Sequence, residues 1–139
     1  MEIKLKSVQN RVELFQKELK MEITVYLYPK CSSCQKALHF LEQTKQSFKI
    51  LDITKTPPQI DELKKMLEYQ KGDIRKLFNT SGILYREMNL SQKIPTMPVQ
   101  EALALLHTHG MLVKRPFLLG KNFGLLGFKE PLWNEKFKK

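Results

Sequence analysis

The feature that most restricts the fold is a pair of apolar runs separated by one helix-length stretch. EITVYLY (22–28) is rich in β-branched and aromatic residues, which is typical of a buried strand. A turn at Pro29 follows, then a segment of helical periodicity over about residues 33–46, and then a second predicted strand, SFKILDI (47–53). Two strands joined by a helix of this length form a βαβ unit, in which the strands are parallel and the crossover is right-handed.

A helical block is predicted next, from about residue 57 to residue 110. Thr56 precedes two prolines and is the expected N-cap of its first helix, because proline is tolerated in a first turn. That helix is expected to stop near Gly72. Gly110 is the expected C-terminal cap of the last helix in the block.

The chain then returns to strands. LVKRPFLLG (112–120) is interrupted by Pro116, FGLLGF (123–128) is its expected hairpin partner, and PLWNEKFKK is expected to close with a short helix. The sequence thus predicts an α/β fold of order βαβ, helical insert, ββα, with a mixed sheet. Residues 21–139 are assigned to a single domain, and residues 1–20 to an N-terminal extension whose apolar spacing favours a short amphipathic helix.

The only two cysteines of the 139 residues stand three apart, where the first strand meets the first helix. At a helix N-terminus the unpaired N–H groups and the helix dipole stabilise a thiolate, so the pKa of Cys31 is expected to be low. Cys34 lies one turn later on the same face and can resolve a mixed disulfide formed at Cys31. Ser32 or Ser33 can donate a hydrogen bond to the sulfur. These residues are candidates for thiol–disulfide chemistry.

Two other interpretations of the cysteine pair compete with redox chemistry. A structural zinc site needs four ligands, and a CxxC supplies two. His107 and His109 are two apart on a predicted helix and point to different faces, so no metal site is predicted. Free cysteines are also often inert core residues, and that alternative stays open.

Composition and charge limit the classes of binding partner and the cellular compartment that the sequence favours. The formal charge is +10, but the 24 basic residues are spread along the chain without an aromatic-interleaved patch, so direct nucleic-acid binding is not predicted. No stretch approaches the roughly 20 apolar residues of a membrane helix, and the N-terminus lacks an apolar signal core. A cytoplasmic location is therefore expected, where a CxxC is more often catalytic or metal-binding than a structural disulfide.

Several motifs together resemble the thioredoxin-fold arsenate reductase family, whose regulatory branch comprises the Spx-type proteins. The resemblance covers roughly residues 22–137. It rests on the strand–YPKCSSC–helix opening, TPPQIDEL, IRKLFNTSGILYREMNL, KRPFLL and GFKEPLW.

The resemblance implies a thioredoxin-like fold and a set of functional residues. Cys31 would be the nucleophile, Arg75 would come from the helical insert, and Arg115 would precede a cis proline, Pro116. Arginines in these places would stabilise the thiolate and bind an anion, since guanidinium holds oxyanions through two hydrogen bonds. No bound cofactor is implied, and glutathione, glutaredoxin or thioredoxin would supply electrons.

Departures from the family pattern leave two functions open. The histidine that such reductases carry four residues before the cysteine is Leu27 here, and a third arginine is replaced by Gly127-Phe128, which argues against arsenate as the natural substrate. The resemblance implies either a thiol oxidoreductase, whose partner is a small thiol or a redox protein, or an Spx-like regulator. Those regulators use a CxxC as a disulfide switch and bind the RNA polymerase α subunit. FNTSGILYRE looks more like the reductase-like branch.

Overall fold

The computed structural model of the chain, which describes residues 22–137, places a four-stranded sheet between two layers of helices. The strands are β1 (Ile23–Leu27), β2 (Phe48–Asp52), β3 (Phe117–Leu119) and β4 (Gly124–Leu126). The α-helices are α1 (Ser32–Gln43), α2 (Ile60–Tyr69), α3 (Ile83–Glu87), α4 (Leu90–Lys93), α5 (Val99–Thr108) and α6 (Glu130–Phe137). Short 3₁₀ turns span Ile74–Leu77, Ile94–Thr96 and Gly110–Leu112. The helix expected within residues 1–20 lies outside the described residues.

The strand order is β2-β1-β3-β4. β1 and β2 are parallel, as the βαβ prediction requires, whereas β3 is antiparallel to both β1 and β4. The mixed sheet, the βαβ–ββα order and the helical insertion between β2 and β3 are confirmed. No helix within residues 22–137 is long and apolar enough to cross a bilayer.

Each face of the sheet has its own core, because successive side chains of a strand point to opposite sides. On one face Val25 and Leu118 pack with residues of α1 and α6, including Leu41 and Trp133. On the other face the insert covers the sheet. Its core joins β1 and β3 to the insert helices through Tyr26, Phe117, Leu63, Met66 and Leu106.

The predicted start of α2 at Thr56 is wrong. The helix begins at Ile60 with Gln59 as its N-cap, and a capping box forms in which the Gln59 N–H donates to Glu62 Oε1 at 2.9 Å. Pro57 precedes a second proline, and a residue in that position is disfavoured in the α conformation. The two prolines therefore delay the helix instead of opening it.

The predicted capping role of Gly110 is also wrong. α5 is capped by His109, and Gly110 is buried in the following 3₁₀ turn without a left-handed φ. A Cβ at Gly110 would overlap the backbone oxygen of Ile53. Glycine is required there for close packing of two backbone segments. Gly72, in contrast, does have φ +81° just beyond α2, where its N–H bonds to the Leu67 oxygen at 2.8 Å.

Candidate functional site

The CxxC lies in the turn between β1 and α1, which backbone hydrogen bonds hold in place. Cys31 is the N-cap residue of α1 and is partly exposed. Its N–H donates to the Tyr28 oxygen at 3.0 Å, and its own oxygen accepts from the Gln35 N–H at 3.1 Å. The Gln35 side chain also donates to the Pro29 oxygen at 3.2 Å. The Cys31 sulfur therefore stands at the start of a helix, where anionic groups are stabilised.

Cys34 faces the opposite environment. Its side chain is 2% exposed and packs in the core beside Ala37 and Leu41. The Tyr28 N–H donates to Cys34 Sγ at 3.4 Å. One cysteine is therefore partly exposed and the other is buried.

The two thiols are shifted in opposite directions. Partial burial tends to raise the pKa of Cys31. Three hydrogen bonds oppose this effect, two from the backbone N–H and the thiol of Cys34 and one from the Ser33 N–H. The positive charge of Arg115 acts in the same direction, and together these contacts lower the Cys31 pKa. Burial raises the pKa of Cys34 to about 12, and its hydrogen bond to Cys31 adds to the effect. The arrangement favours the thiolate form of Cys31, with the Cys34 thiol as hydrogen-bond donor to it.

Arg115 and Pro116 lie beside this pair. The Arg115–Pro116 peptide bond is cis, as the resemblance implies. The Arg115 guanidinium carbon stands 5.1 Å from the centroid of the Tyr28 ring, and Nη1 donates to the Met111 oxygen at 3.1 Å. Its charge lowers the pKa of both cysteines, although burial outweighs that effect at Cys34. Arg115 is thus the guanidinium that the structure brings to the sulfur pair.

Arg75 is placed differently from Arg115. It is exposed on the 3₁₀ turn Ile74–Leu77, and Arg115, not Arg75, is the arginine whose charge shifts the pKa of the two cysteines. The turn is nevertheless tied to the chain that leads into Arg115, since the Lys114 N–H donates to the Leu77 oxygen at 2.8 Å. The structure thus connects the two arginine-bearing segments without bringing Arg75 to the thiolate.

Sequence reasoning missed Tyr28 as a site residue. Its N–H binds the Cys34 sulfur and its ring lies under Arg115, so it contacts both sides of the site. A hollow of about 280 Å³ also opens beside Cys34, lined mainly by apolar side chains that include Leu38 and Ile50. The tyrosine ends the predicted strand EITVYLY and begins the motif YPKCSSC, but neither pattern predicts its contacts with Cys34 and Arg115.

Leu27 occupies the position of the family histidine and is buried in the core. Within residues 22–137 no group of three or more histidine, cysteine, aspartate or glutamate side chains is placed to hold a metal ion. The chemistry that this site can supply from its own side chains is that of a thiolate, a thiol and a guanidinium.

The model of the ArsC family matches residues 26–135. The chain is 41% identical over 117 residues to the uncharacterised protein YusI of Bacillus subtilis, which covers 84% of this chain and 99% of YusI. It is 28% identical over 108 residues to the global transcriptional regulator Spx of the same species, covering 78% of this chain and 81% of Spx.

A solved structure of a related protein has the same fold. A crystal structure of an ArsC-family-related protein from Bacteroides fragilis superposes with a TM-score of 0.77 at 41% identity, covering 84% of this chain and 97% of that one. The thioredoxin-like fold predicted from the sequence is thereby confirmed.

Proposed function

The chain belongs to the ArsC family, and from that premise we propose that it is a thiol–disulfide oxidoreductase in which Cys31 attacks and Cys34 resolves. The observation that carries the proposal is the opposite shift of the two pKa values. Cys31 is favoured as a thiolate at the surface, and Cys34 is held as a buried thiol in hydrogen-bond contact with it. In an inert pair of core cysteines, burial would raise both pKa values.

The first step is attack by the Cys31 thiolate on one sulfur of an oxidised substrate. A bond forms between the two sulfurs, the substrate disulfide breaks, and its leaving thiolate takes a proton from water. Cys34 then loses its proton and attacks the Cys31 sulfur, which releases the second substrate thiol and leaves a Cys31–Cys34 disulfide. The substrate gains two electrons, and glutathione, glutaredoxin or thioredoxin returns two electrons to the protein.

The environment of Cys34 accounts for the order of these steps. Part of the rise in its pKa comes from the hydrogen bond and the negative charge of Cys31. The hydrogen bond and the negative charge are both lost once the Cys31 sulfur is bonded to the substrate in a mixed disulfide. Cys34 therefore becomes easier to deprotonate at the point where it must act as the second nucleophile.

Arg115 provides the positive charge next to the reacting sulfur. It is partly exposed, and its guanidinium can hold an anionic group of the substrate while it stabilises the thiolate. Arg75, on the neighbouring exposed turn, offers a second charge to a substrate that extends past Arg115. The Ser33 N–H completes the cradle of donors around the Cys31 sulfur.

A second candidate function follows from the 28% identity to Spx. In that case the same cysteine pair is oxidised by a peroxide, which accepts two electrons, and the resulting disulfide alters binding to the RNA polymerase α subunit. This second function requires no substrate turnover.

The pH dependence of alkylation tests the site itself. We expect iodoacetamide to modify Cys31 with an apparent pKa below the ordinary thiol value of about 8.5. In the Cys34→Ala variant the value should rise, because one hydrogen-bond donor to the thiolate is gone. An apparent pKa of about 8.5 or more in the unmodified protein would contradict the proposed nucleophile.

Turnover separates the two functions. NADPH consumption is followed with glutathione, glutaredoxin and glutathione reductase, using hydroxyethyl disulfide or arsenate as the oxidised substrate and Cys31→Ser as control. Cys31-dependent turnover with either substrate supports the oxidoreductase, and the substrate that works defines its class. Absence of turnover, together with capture of the polymerase α subunit by the oxidised but not the reduced protein, would establish the regulator.

A further inference from the structure

β4 is an edge strand, hydrogen-bonded on one side only, to β3. Two hydrogen bonds fix the phase of this pairing. The Gly127 N–H donates to the Pro116 oxygen at 2.9 Å, and the Gly120 N–H donates to the Phe123 oxygen at 2.9 Å. In an antiparallel ladder hydrogen-bonded pairs alternate with non-bonded pairs, so the groups between these two bonds are determined.

The pair between them, Leu118 and Leu125, is hydrogen-bonded, and Leu125 therefore turns its backbone toward β3. Gly124 and Leu126 turn theirs outward. Within residues 22–137 the outward N–H and C=O groups of Gly124 and Leu126 have no hydrogen-bond partner. The edge thus presents two donors and two acceptors at the two-residue spacing of a strand, which is the template for another strand.

Gly124 and Leu126 line a cleft of about 570 Å³, which we call the edge cleft. Its charged lining residues are Arg75, Lys76, Lys114, Lys129 and Asp73. Four positive charges against one carboxylate favour an acidic ligand, in a chain whose formal charge is +10. The cleft is also lined by Tyr69 and Leu132, two of the exposed large apolar side chains of the molecule.

We propose that the edge cleft binds an extended acidic segment of a partner protein, which adds to the sheet as a strand paired with β4. In strand addition the main-chain hydrogen bonds give affinity, and the alternating side chains give specificity. The basic side chains select glutamate or aspartate, and the exposed apolar ones accept the residues between. The unpaired edge and the positive lining are independent features of the structure that lead to the same ligand.

Arg75 lines the edge cleft, but Cys31, Cys34 and Arg115 are not among its lining residues. β4 is separated from β1 by β3, a distance of about 10 Å at the usual strand spacing. Gly127 nevertheless pairs with Pro116, the neighbour of Arg115. A partner strand held on β4 therefore lies on the far side of β3 from β1, the strand that leads to Cys31.

The probe that tests this is an end-blocked heptapeptide of alternating valine and glutamate, titrated into the ¹⁵N-labelled full chain. We expect the largest amide shifts at Gly124 and Leu126. A peptide with lysine in place of glutamate should bind at least about tenfold more weakly. A peptide with every backbone nitrogen methylated keeps its charges but cannot pair as a strand, and it should also lose binding.

Charge reversal of the lining gives a matched comparison. Lys114→Glu with Lys129→Glu should weaken the acidic peptide by about tenfold or more. Lys49→Glu with Lys93→Glu makes the same change in net charge outside the edge cleft, and it should leave affinity within about twofold. If the first pair does not fold, Lys129→Glu alone, at an exposed position, should still weaken binding by about threefold.

Three results would overturn the proposal. Equal binding of the fully methylated peptide would show charge attraction without strand pairing. Equal loss from the two reversal pairs would show a general response to net charge. Absence of shifts at Gly124 and Leu126, with or without binding elsewhere, would exclude the edge cleft as the docking site.

Discussion

The two faces of the sheet are covered by cores of different kinds. The face under α1 and α6 carries a cluster of aromatic rings with centroids 5.0 to 6.2 Å apart: Phe40, Phe123, Phe128, Trp133 and Phe137. The face under the insert is mostly aliphatic. Of its two buried tyrosines, Tyr26 donates a hydrogen bond through its hydroxyl, whereas the buried hydroxyl of Tyr85 has no partner within residues 22–137.

This difference separates the two parts of the candidate site. Cys34 belongs to the aromatic core, so the packing of that face sets the burial that raises the pKa of Cys34. Arg75 belongs to the insert, on the 3₁₀ turn Ile74–Leu77, and the insert packs on the other face of the sheet. Substitutions on each face can show whether the two behave as separate units or as one.

Trp133→Ala should have the largest effect. Trp133 is 1% exposed, its Nε1 donates to the Gly127 oxygen at 3.1 Å, and its ring contacts Phe40 and Phe128. The loss of an aromatic core side chain costs about 3–5 kcal/mol of the free energy of unfolding. Urea unfolding followed by far-UV circular dichroism measures it, since the variant has no tryptophan fluorescence.

Leu63→Ala, on the insert face, is the matched variant and should cost about 2–5 kcal/mol. In the Cys31→Ser background, alkylation of Cys34 under native conditions should accelerate more in Trp133→Ala than in Leu63→Ala. The reason is that only the tryptophan shares a core with Cys34. Equal acceleration would show that the faces open together, and the comparison would fail.

The sequence was sufficient to predict the four strands and the position of Cys31, and insufficient to predict the helix ends of the insert. Strand patterning predicted β1 to β4, and the change to helical periodicity after the turn placed Cys31 at a helix start, because both signals are local. The helical insert was predicted as a block, but Thr56 and Gly110 were misassigned. Their roles depend on the second proline and on the Ile53 backbone, the latter distant in sequence. Tyr28 was missed for the same reason, since its contacts with Cys34 and Arg115 exist only in the folded chain.

Gly110→Ala tests the backbone contact on the insert side. The new Cβ would overlap the Ile53 oxygen, and overpacking of this kind costs about 1–3 kcal/mol. Gly72→Ala is a control in which backbone strain replaces overpacking. Gly72 has φ +81°, and a Cβ added there would meet no atom within 4 Å. Only backbone strain of about 1–2 kcal/mol is therefore expected. Thermal unfolding of both variants gives the comparison, and an unchanged Gly110→Ala would show that the segments can separate without cost.

Tyr26→Phe should cost about 1–2 kcal/mol. The Tyr26 hydroxyl donates to Glu62 Oε1 at 2.6 Å, and the same oxygen accepts from the Gln59 N–H, so this carboxylate joins β1 to the start of α2. Urea midpoints measure the loss. Tyr69→Phe, which removes an exposed phenol, should leave stability within about 0.5 kcal/mol.

The same variant should change the response to alkaline pH. Burial first, and the hydrogen bond to Glu62 next, raise the pKa of Tyr26 above its ordinary value of about 10. The unfolded chain then ionises before the folded one, so this stabilisation is complete below about pH 10 and is lost as the pH rises further. Between about pH 9 and pH 11 the stability of Tyr26→Phe should therefore fall less steeply than that of the unmodified protein. Parallel curves would contradict the raised pKa.

Tyr85→Phe should have the smallest effect, and of opposite sign. Tyr85 is 5% exposed, its ring lies 6.0 Å from that of Phe78, and within residues 22–137 its buried hydroxyl has no hydrogen-bond partner. Removing an unsatisfied buried hydroxyl relieves its desolvation cost, so the free energy of unfolding should rise by up to about 1 kcal/mol. The identical substitution thus lowers stability at position 26 and raises it at position 85. A loss at Tyr85 would show that its hydroxyl is satisfied by water in solution, and the insert face would then be held by two phenol hydrogen bonds instead of one.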